Sequence, residues 1–152
     1  MRPTIKVGLA TKDQAEDISR VICDAIREVN AKDYPPAEID RLLGNFTSAH
    51  VLNFLTQRMT FVAVLDDRIA GTGALQGSEV KSVFVSPDLH RLGIGTELVK
   101  AIETAAMSAG LQELAVSSSL SAVKFYTSLG FAEKRRRFFG QEETVEMVKA
   151  LI

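Results

Sequence analysis

Two glycines separated by one residue, Gly93-Ile94-Gly95, stand where an apolar stretch gives way to an amphipathic one. The run Val83-Phe84-Val85-Ser86-Pro87 reads as a strand entering a turn, and His90-Arg91-Leu92-Gly93-Ile94-Gly95-Thr96 carries that turn straight into a helix. The helix is predicted from Gly93 to about Ala109, with Leu98, Ile102, Ala105 and Ala109 on its apolar face and Gly110 as its stop. A helix that starts this way points several unpaired backbone N–H groups at one spot, and its dipole adds positive potential there. A phosphate or pyrophosphate fits such a site. Glycine serves because a side chain would hold the anion away from the amides. The plain alternative for a lone Gly-x-Gly is an ordinary strand-to-helix turn. Two nucleotide motifs are excluded. Thr96 and Glu97 follow Gly95 where a Walker loop needs Lys and Ser or Thr, and Leu98 occupies the third glycine position of a Rossmann fingerprint.

The stretch His90-Arg91-Leu92-Gly93-Ile94-Gly95, after Val85-Ser86-Pro87, resembles motif A of the GNAT superfamily of acyl-CoA-dependent N-acyltransferases, [Gln/Arg]-x-x-Gly-x-[Gly/Ala] after Val-x-Pro. A second block, Ser119-Leu120-Ser121-Ala122-Val123-Lys124-Phe125-Tyr126-Thr127-Ser128-Leu129-Gly130-Phe131, resembles the family's motif B, Asn-x-x-Ala-x-x-Phe-Tyr-x-x-Leu-Gly-Phe. The blocks follow the family's order and cover the C-terminal half. His90 stands where Gln or Arg is usual, Leu92 where a basic residue is common, and Ser119 where Asn is usual. None of these changes removes a backbone amide, and Arg91 offers a cationic contact.

The resemblance implies binding of acetyl-CoA as cosubstrate and transfer of its acetyl group to a primary amine of a small molecule or peptide, by direct attack in a ternary complex. It also admits a non-catalytic acetyl-CoA sensor. In the family the strands on either side of the pyrophosphate helix splay apart and the pantetheine arm lies in the gap. A splay leaves backbone groups that need partners, and an amide-bearing arm can act as the missing strand. The amides of Val83, Phe84 and Val85 are the candidates here. The family further implies an acid near the sulfur, at Tyr126, and a general base, direct or through water, at Glu79. A phenol with a reference pKa of about 10 stays protonated at neutral pH and can donate to a leaving thiolate. A carboxylate near its reference pKa of about 4.3 is a weak base for an ammonium, so Glu79 needs burial or a water relay. On the residues alone, Tyr126 reads first as a core aromatic beside Phe125, an order that motif B around it reverses, and Glu79 reads equally as an exposed charge after a Gly77-Ser78 turn. Ser117-Ser118-Ser119 reads either as hydroxyls for the arm or as a polar loop with a helix cap.

The elements that must position these groups form an order β-α-α-β-β-β-α-β-α-β-β, an α/β fold with a mixed, mostly antiparallel sheet. Ile5 to Leu9 is the first strand. Thr11 to Gln14 is a capping-box pattern that opens a helix with Ala15, Ile18, Val21, Ile22, Ala25 and Val29 on one face. Tyr34-Pro35-Pro36 breaks the chain, and one or two helices follow to about Leu55. Thr60 to Leu65 and Arg68 to Leu75 make a hairpin around Asp66-Asp67, and Glu79 to Val85 is the next strand. A strand at Leu111 to Val116, a short helix at Ser121 to Leu129, a strand from Phe131, a turn at Gln141-Glu142 and a last strand to about Leu151 complete the chain.

A chain of 152 residues fits one domain, residues 1–152. No apolar run approaches membrane-spanning length, and Met1-Arg2-Pro3-Thr4-Ile5-Lys6 lacks a signal-peptide core, so the expectation is a cytoplasmic protein without membrane contact. A net charge of −1 gives no drive toward nucleic acid. The run Arg135-Arg136-Arg137 reads as a charged edge strand with Arg135 and Arg137 on one face. Cys23, the one cysteine, reads as a buried core thiol, and His50 as a helix-surface residue. His50 and His90 form no metal motif. Homodimers are frequent in the family, so a homodimer is admitted. Tyr34, Phe46, Phe54, Arg136 and Phe138 stand on the segments that grip the acceptor in that family.

Overall fold

The computed structural model describes residues 4–32, 34–139 and 142–151. Strand β1 (Ile5–Leu9) leads into a 3-10 turn at Lys12–Gln14, where the Gln14 side-chain oxygen accepts the Thr11 N–H at 2.9 Å, as the capping box requires. Helix α1 (Ala15–Glu28) buries the predicted stripe of Ala15, Ile18, Val21, Ile22 and Ala25. Helices α2 (Pro36–Gly44) and α3 (Ser48–Gln57) follow, so three helices separate the first two strands where the sequence order counts two. Thr47 divides them. Its hydroxyl accepts the His50 N–H at 3.3 Å and starts a new helix just after α2 ends.

Strands β2 (Met59–Leu65) and β3 (Arg68–Gln76) form the expected hairpin. Asp66 and Asp67 both take positive φ, 50° and 62°, the requirement of the primed turn whose twist suits a two-residue hairpin. Strand β4 (Glu79–Val85) has its predicted bounds. Helix α4 (Ile94–Ser108) ends at Gly110, whose φ is 81°. Strand β5 (Glu113–Ser118) begins two residues later than expected, because the Leu111 N–H closes the helix end on the Ala106 carbonyl at 3.0 Å. A 3-10 turn at Leu120–Ala122, helix α5 (Val123–Ser128), β6 (Ala132–Phe139) and β7 (Glu142–Ala150) complete the order. Gln141, half of the expected turn, lies outside the described residues.

The strands make one sheet in the order β1-β2-β3-β4-β5-β7-β6, antiparallel throughout except for β4 beside β5. Helix α1 covers one face, where Ile18, Ile22 and Ile26 pack with Val51 of α3 and Val62 of β2. Helix α4 covers the other. Its buried stripe is Ile94, Leu98, Ile102 and Ala106 with Val99 beside it, so Leu98 and Ile102 stand as predicted and the two alanines do not. Ala105 is only half-buried and Ala109 is exposed, because the stripe steps every four residues from Ile94 and Ala109 falls at the C-cap. Two glycines of β3 let this helix approach the sheet. A Cβ at Gly71 would lie 2.9 Å from the Ile94 side chain and 3.1 Å from the Phe84 carbonyl oxygen, and one at Gly73 would lie 3.0 Å from the Val83 side chain. Among the described residues, no helix is long and apolar enough to cross a membrane.

Candidate acyl-transfer cleft

Strands β4 and β5 pair through two positions only, Glu79 with Ala115 and Val80 with Val116. Past them β4 stays zipped to β3 and β5 to β7, so the two halves of the sheet part as a wedge. Ser82 sharpens the parting. It takes a φ of 52°, and the register with β3 slips between Thr72 and Ala74, the signature of a bulge that bends one strand. A cleft of about 890 Å³ opens in the wedge. Val83, Phe84 and Val85 line it from one side, and Ser117, Ser118 and Ser119 from the other.

The anion end is built from the loop into α4. Gly93 is the N-cap with φ 82°, and Arg91 takes a φ of 68°. The Glu97 N–H makes the first helix bond, to the Gly93 carbonyl at 3.1 Å. The amides of Ile94, Gly95 and Thr96 come before it and have no helix carbonyl to meet. The arrangement joins free donors, a positive dipole end and a left-handed turn, which is the geometry of an anion cradle. His90, Arg91, Gly93, Ile94, Gly95 and Thr96 all line the cleft, whereas Leu92 is exposed and is not among the lining residues. Only Gly93 is held to glycine by its φ. At Gly95 the constraint is packing, since a Cβ would stand 3.1 and 3.2 Å from two carbons of the Phe125 ring.

The loop before the cradle is fastened to β3. The Ser86 N–H donates to the Ala70 carbonyl at 2.8 Å, and the Leu89 N–H to the Ser86 carbonyl at 2.9 Å. Arg68 reaches both Asp88 carboxylate oxygens, at 3.0 and 2.9 Å, and the Ser86 hydroxyl at 3.1 Å. Hydrogen bonding from Arg68 holds the Asp88 carboxyl below its usual value. His90 Nε2 lies 3.4 Å from the Val85 carbonyl oxygen, so its ring turns back on the strand.

Tyr126 lines the cleft from α5 and is only 5% exposed. Its ring packs edge-on against Phe125 at 5.0 Å and Phe131 at 5.4 Å between centroids. No described residue hydrogen-bonds its hydroxyl. Burial pushes the phenol well above the usual tyrosine value, so the group stays protonated. Glu79 is placed differently. Its carboxylate is exposed and lies 3.1 Å from the Lys81 ammonium, and the cleft lining starts one residue later, at Val80. Glu79 is thus absent from the lining, while its partner Lys81 belongs to it. Ser118 spends its hydroxyl on the Ser119 carbonyl at 2.8 Å, and Ser119 is the N-cap of the turn before α5.

At the other end, α1, α2 and β7 close over the wedge. Of the aromatic and basic residues expected there, Tyr34 and Phe46 line the cleft, and Phe54, Arg136 and Phe138 do not. Arg58, Ser82, Glu142 and Thr144 line it and were not anticipated. Ser82 alone left a trace in the sequence, a polar residue inside an apolar strand. Glu142 is the only carboxylate among the described lining residues, and Arg41 of α2 holds it at 3.4 Å. The arginine run is a charged edge: Arg135 and Arg137 share Glu146 at 2.7 and 2.8 Å, while Arg136 faces Glu133 and Glu143. Cys23 is half-buried rather than buried, its thiol 3.8 Å from the Phe46 carbonyl oxygen. His50 is exposed and bonds Thr47 at 2.7 Å.

A family model described as an acetyltransferase (GNAT) domain matches residues 30–151. Among solved structures, the chain is similar to a GCN5-related N-acetyltransferase from Rhodopseudomonas palustris, with a TM-score of 0.89 at 22% identity over 99% of this chain and 96% of that one. It is similar also to the PaiA N-acetyltransferase of Thermoplasma acidophilum in complex with coenzyme A, with a TM-score of 0.83 at 16% identity over 97% and 99% of the two chains. A third is YncA of Salmonella typhimurium with acetyl-CoA, with a TM-score of 0.68 at 17% identity over 97% and 94%. No curated protein sequence matches. Likeness at these identities carries the fold, and the family model spans both the wedge and the cradle: the chain belongs to the GNAT acetyltransferase family.

Proposed function

We propose that this chain, acting as one domain, transfers the acetyl group of acetyl-CoA to a primary amine, by direct attack while both are held in the cleft. The observation that carries the reading is the parting of β4 from β5 directly beside the amide cradle at Gly93 to Thr96. The cradle suits a diphosphate, and the freed edge of β4 at Val83 to Val85 suits an amide-bearing arm. Two of the similar structures hold coenzyme A or acetyl-CoA.

The chemistry needs little more than placement. The amine nitrogen bonds the acyl carbon and the carbon–sulfur bond breaks, giving an amide and coenzyme A. An ammonium acceptor gives up two protons in all; one ends on the sulfur and the other in solvent. Holding the two reactants in one wedge replaces a bimolecular encounter by a local one. Tyr126 donates a hydrogen bond to the sulfur as negative charge gathers there. Its raised pKa makes it a donor that keeps its proton until late in the step. Glu79 stands outside the lining, so any base role it has runs through water, and Glu79→Gln has a smaller effect than loss of the Tyr126 hydroxyl.

Calorimetry with coenzyme A and a thiol-release assay against a panel of amines test the reading. The expected result is saturable binding and release that depends on the amine. Binding without release across a broad panel would leave a sensor, and no binding by the folded protein would remove the proposal.

A further inference from the structure

Arg58 is a cation without an anion. It follows α3 as its C-cap and its side chain is half-buried, stacked over the Phe54 ring at 4.0 Å. Its guanidinium donates to two neutral groups, from Nε to the Gln76 side-chain oxygen at 3.0 Å and from Nη1 to the Ser82 hydroxyl at 3.2 Å. Nη2 has no partner among the described residues, and no carboxylate lies within ion-pair distance. Most of the other arginines with a role in this fold are satisfied by acids: Arg41 by Glu38 and Glu142, Arg68 by Asp88, and Arg135 and Arg137 by Glu146. Burial draws the Arg58 guanidinium below the usual arginine range, with no acid beside it to offset the loss of water. A guanidinium removed from water without a counter-charge is unfavourable unless something else compensates.

Its position makes the compensation legible. Arg58 lines the cleft, and its partner Ser82 is the bulged residue at the point where β4 leaves β5. The diphosphate cradle lies at the other end of β4, past Val85, where His90 and Arg91 are the local basic groups. Thr144 of β7 also lines the cleft, and it is 8% exposed with a hydroxyl that no described residue or neighbouring backbone group satisfies. An arginine with spare planar donors and a buried hydroxyl without a partner both call for an oxygen-rich anionic group. The fork geometry of a guanidinium matches a carboxylate.

We propose that Arg58 binds a carboxylate of the acceptor, so that the amine acetylated here belongs to an amino acid, with Thr144 as a second polar contact in the same cleft. The inference rests on the acetyl-transfer reading above and narrows its substrate class. Glu142 does not compete for Arg58, because Arg41 already holds it.

The test compares α-, β- and γ-amino acids with their own carboxamides as acceptors, using thiol release from acetyl-CoA. Each pair exchanges a carboxylate for a neutral carboxamide of similar size, and free-amine concentration is matched within each pair. The expected result is a kcat/KM for the preferred acid at least tenfold above that for its amide, falling to near parity in Arg58→Met and keeping part of the preference in Arg58→Lys. Coenzyme A affinity, measured on each variant by calorimetry, reports that the fold survives. Arg58 also ties α3 to β3 and β4, and a purely structural role would lower acid and amide alike and leave their ratio unmoved. Parity in the wild type, or a ratio unchanged by Arg58→Met, overturns the inference and leaves the transferase standing. Release with carboxamides alone overturns it as well. Coenzyme A binding with no transfer to either member of any pair overturns the inference and leaves the transferase to the broader amine panel, and absence of coenzyme A binding refutes both.

Discussion

Replacing Tyr126 by Phe separates chemistry from architecture more cleanly than any other single change in this fold. The ring supplies the packing, against Phe125 and Phe131, and phenylalanine keeps it. The hydroxyl supplies no hydrogen bond to any described residue, so its removal breaks none in the resting protein. Stability therefore changes by less than about 1 kcal/mol, below the centre of the range for point mutants, because no packing atom and no hydrogen bond to a described residue is lost. In the proposed transfer the same hydroxyl donates to a sulfur gaining charge. A hydrogen bond to a charged group contributes roughly 1.5–3 kcal/mol. At about 1.36 kcal/mol per decade, its loss lowers kcat by roughly 10- to 150-fold. Thiol release at saturating acetyl-CoA measures the rate, calorimetry measures coenzyme A affinity, and a thermal melt measures stability. Affinity and melting temperature stay close to wild type. The pH profile adds a sign. The phenol is raised above its ordinary value, so its protonated form persists across and beyond the neutral range, and the wild-type rate shows no decline from tyrosine ionisation below pH ~10. A loss in kcat under about threefold, or an alkaline decline near pH 8 that Tyr126→Phe abolishes, would refute the reasoning.

Other positions give sharper tests of the scaffold. Gly95→Ala places a Cβ against the Phe125 ring at 3.1 Å, so coenzyme A affinity and melting temperature both fall, and Phe125→Leu in the same chain restores part of each. Gly93 has open space around its Cβ position but a φ of 82°, so Gly93→Asn is tolerated better than Gly93→Val in the same binding assay, since asparagine visits left-handed backbone and a β-branched residue does not. Arg68→Met frees the loop at Ser86 and Asp88 and weakens coenzyme A binding with little change in melting temperature. The Asp88 carboxyl is depressed, so the Arg68 bridge is fully formed above its ordinary value of 3.8 and is lost as pH falls through the lower folded value. The difference between wild type and Arg68→Met is therefore constant from pH 5 to 8, and a difference that vanishes at pH 6 would remove the bridge as its cause.

Much of this architecture was legible because it rests on local chemistry. Asp66-Asp67 between two alternating apolar runs can hardly be anything but a tight hairpin, and both residues adopt the positive φ that the turn demands. The stripe on α1 obeys helical spacing from its first residue, and Gly110 ends α4 with the left-handed backbone expected of it. Gly93 and Tyr126 were readable as a pair of motifs, and both line one cleft. Where local signals competed, the reading slipped. Leu111 looked like the start of a strand by its side chain, yet its amide closes the preceding helix. Ala105 and Ala109 satisfied a 3-4 spacing that the helix does not bury, because alanine fits either side of a stripe and only the sheet decides which.

The residues that escaped notice share one property: their roles depend on distant partners. Gly71 and Gly73 look like weak points in a strand, but each marks where a helix more than 20 residues on must approach closely, at Ile94 and Ile102. Arg58 is one arginine among many in sequence, and nothing local announces that Gln76 and Ser82 would accept its hydrogen bonds or that no acid among the described residues would pair with it. Glu79 is a different case. Its place at the start of β4 suggests a catalytic role, yet the bulge that redirects this strand comes three residues later, at Ser82, and the Glu79 carboxylate is exposed and paired with Lys81, which itself lines the cleft. The bulge is thus the pivot of the site. It parts β4 from β5, takes the hydroxyl of Ser82 toward Arg58, and turns Val83 to Val85 along the wedge toward the cradle. A variant that restores regular pairing at this point would shrink the cleft at both ends together, and its loss of coenzyme A affinity would match its loss of acceptor affinity.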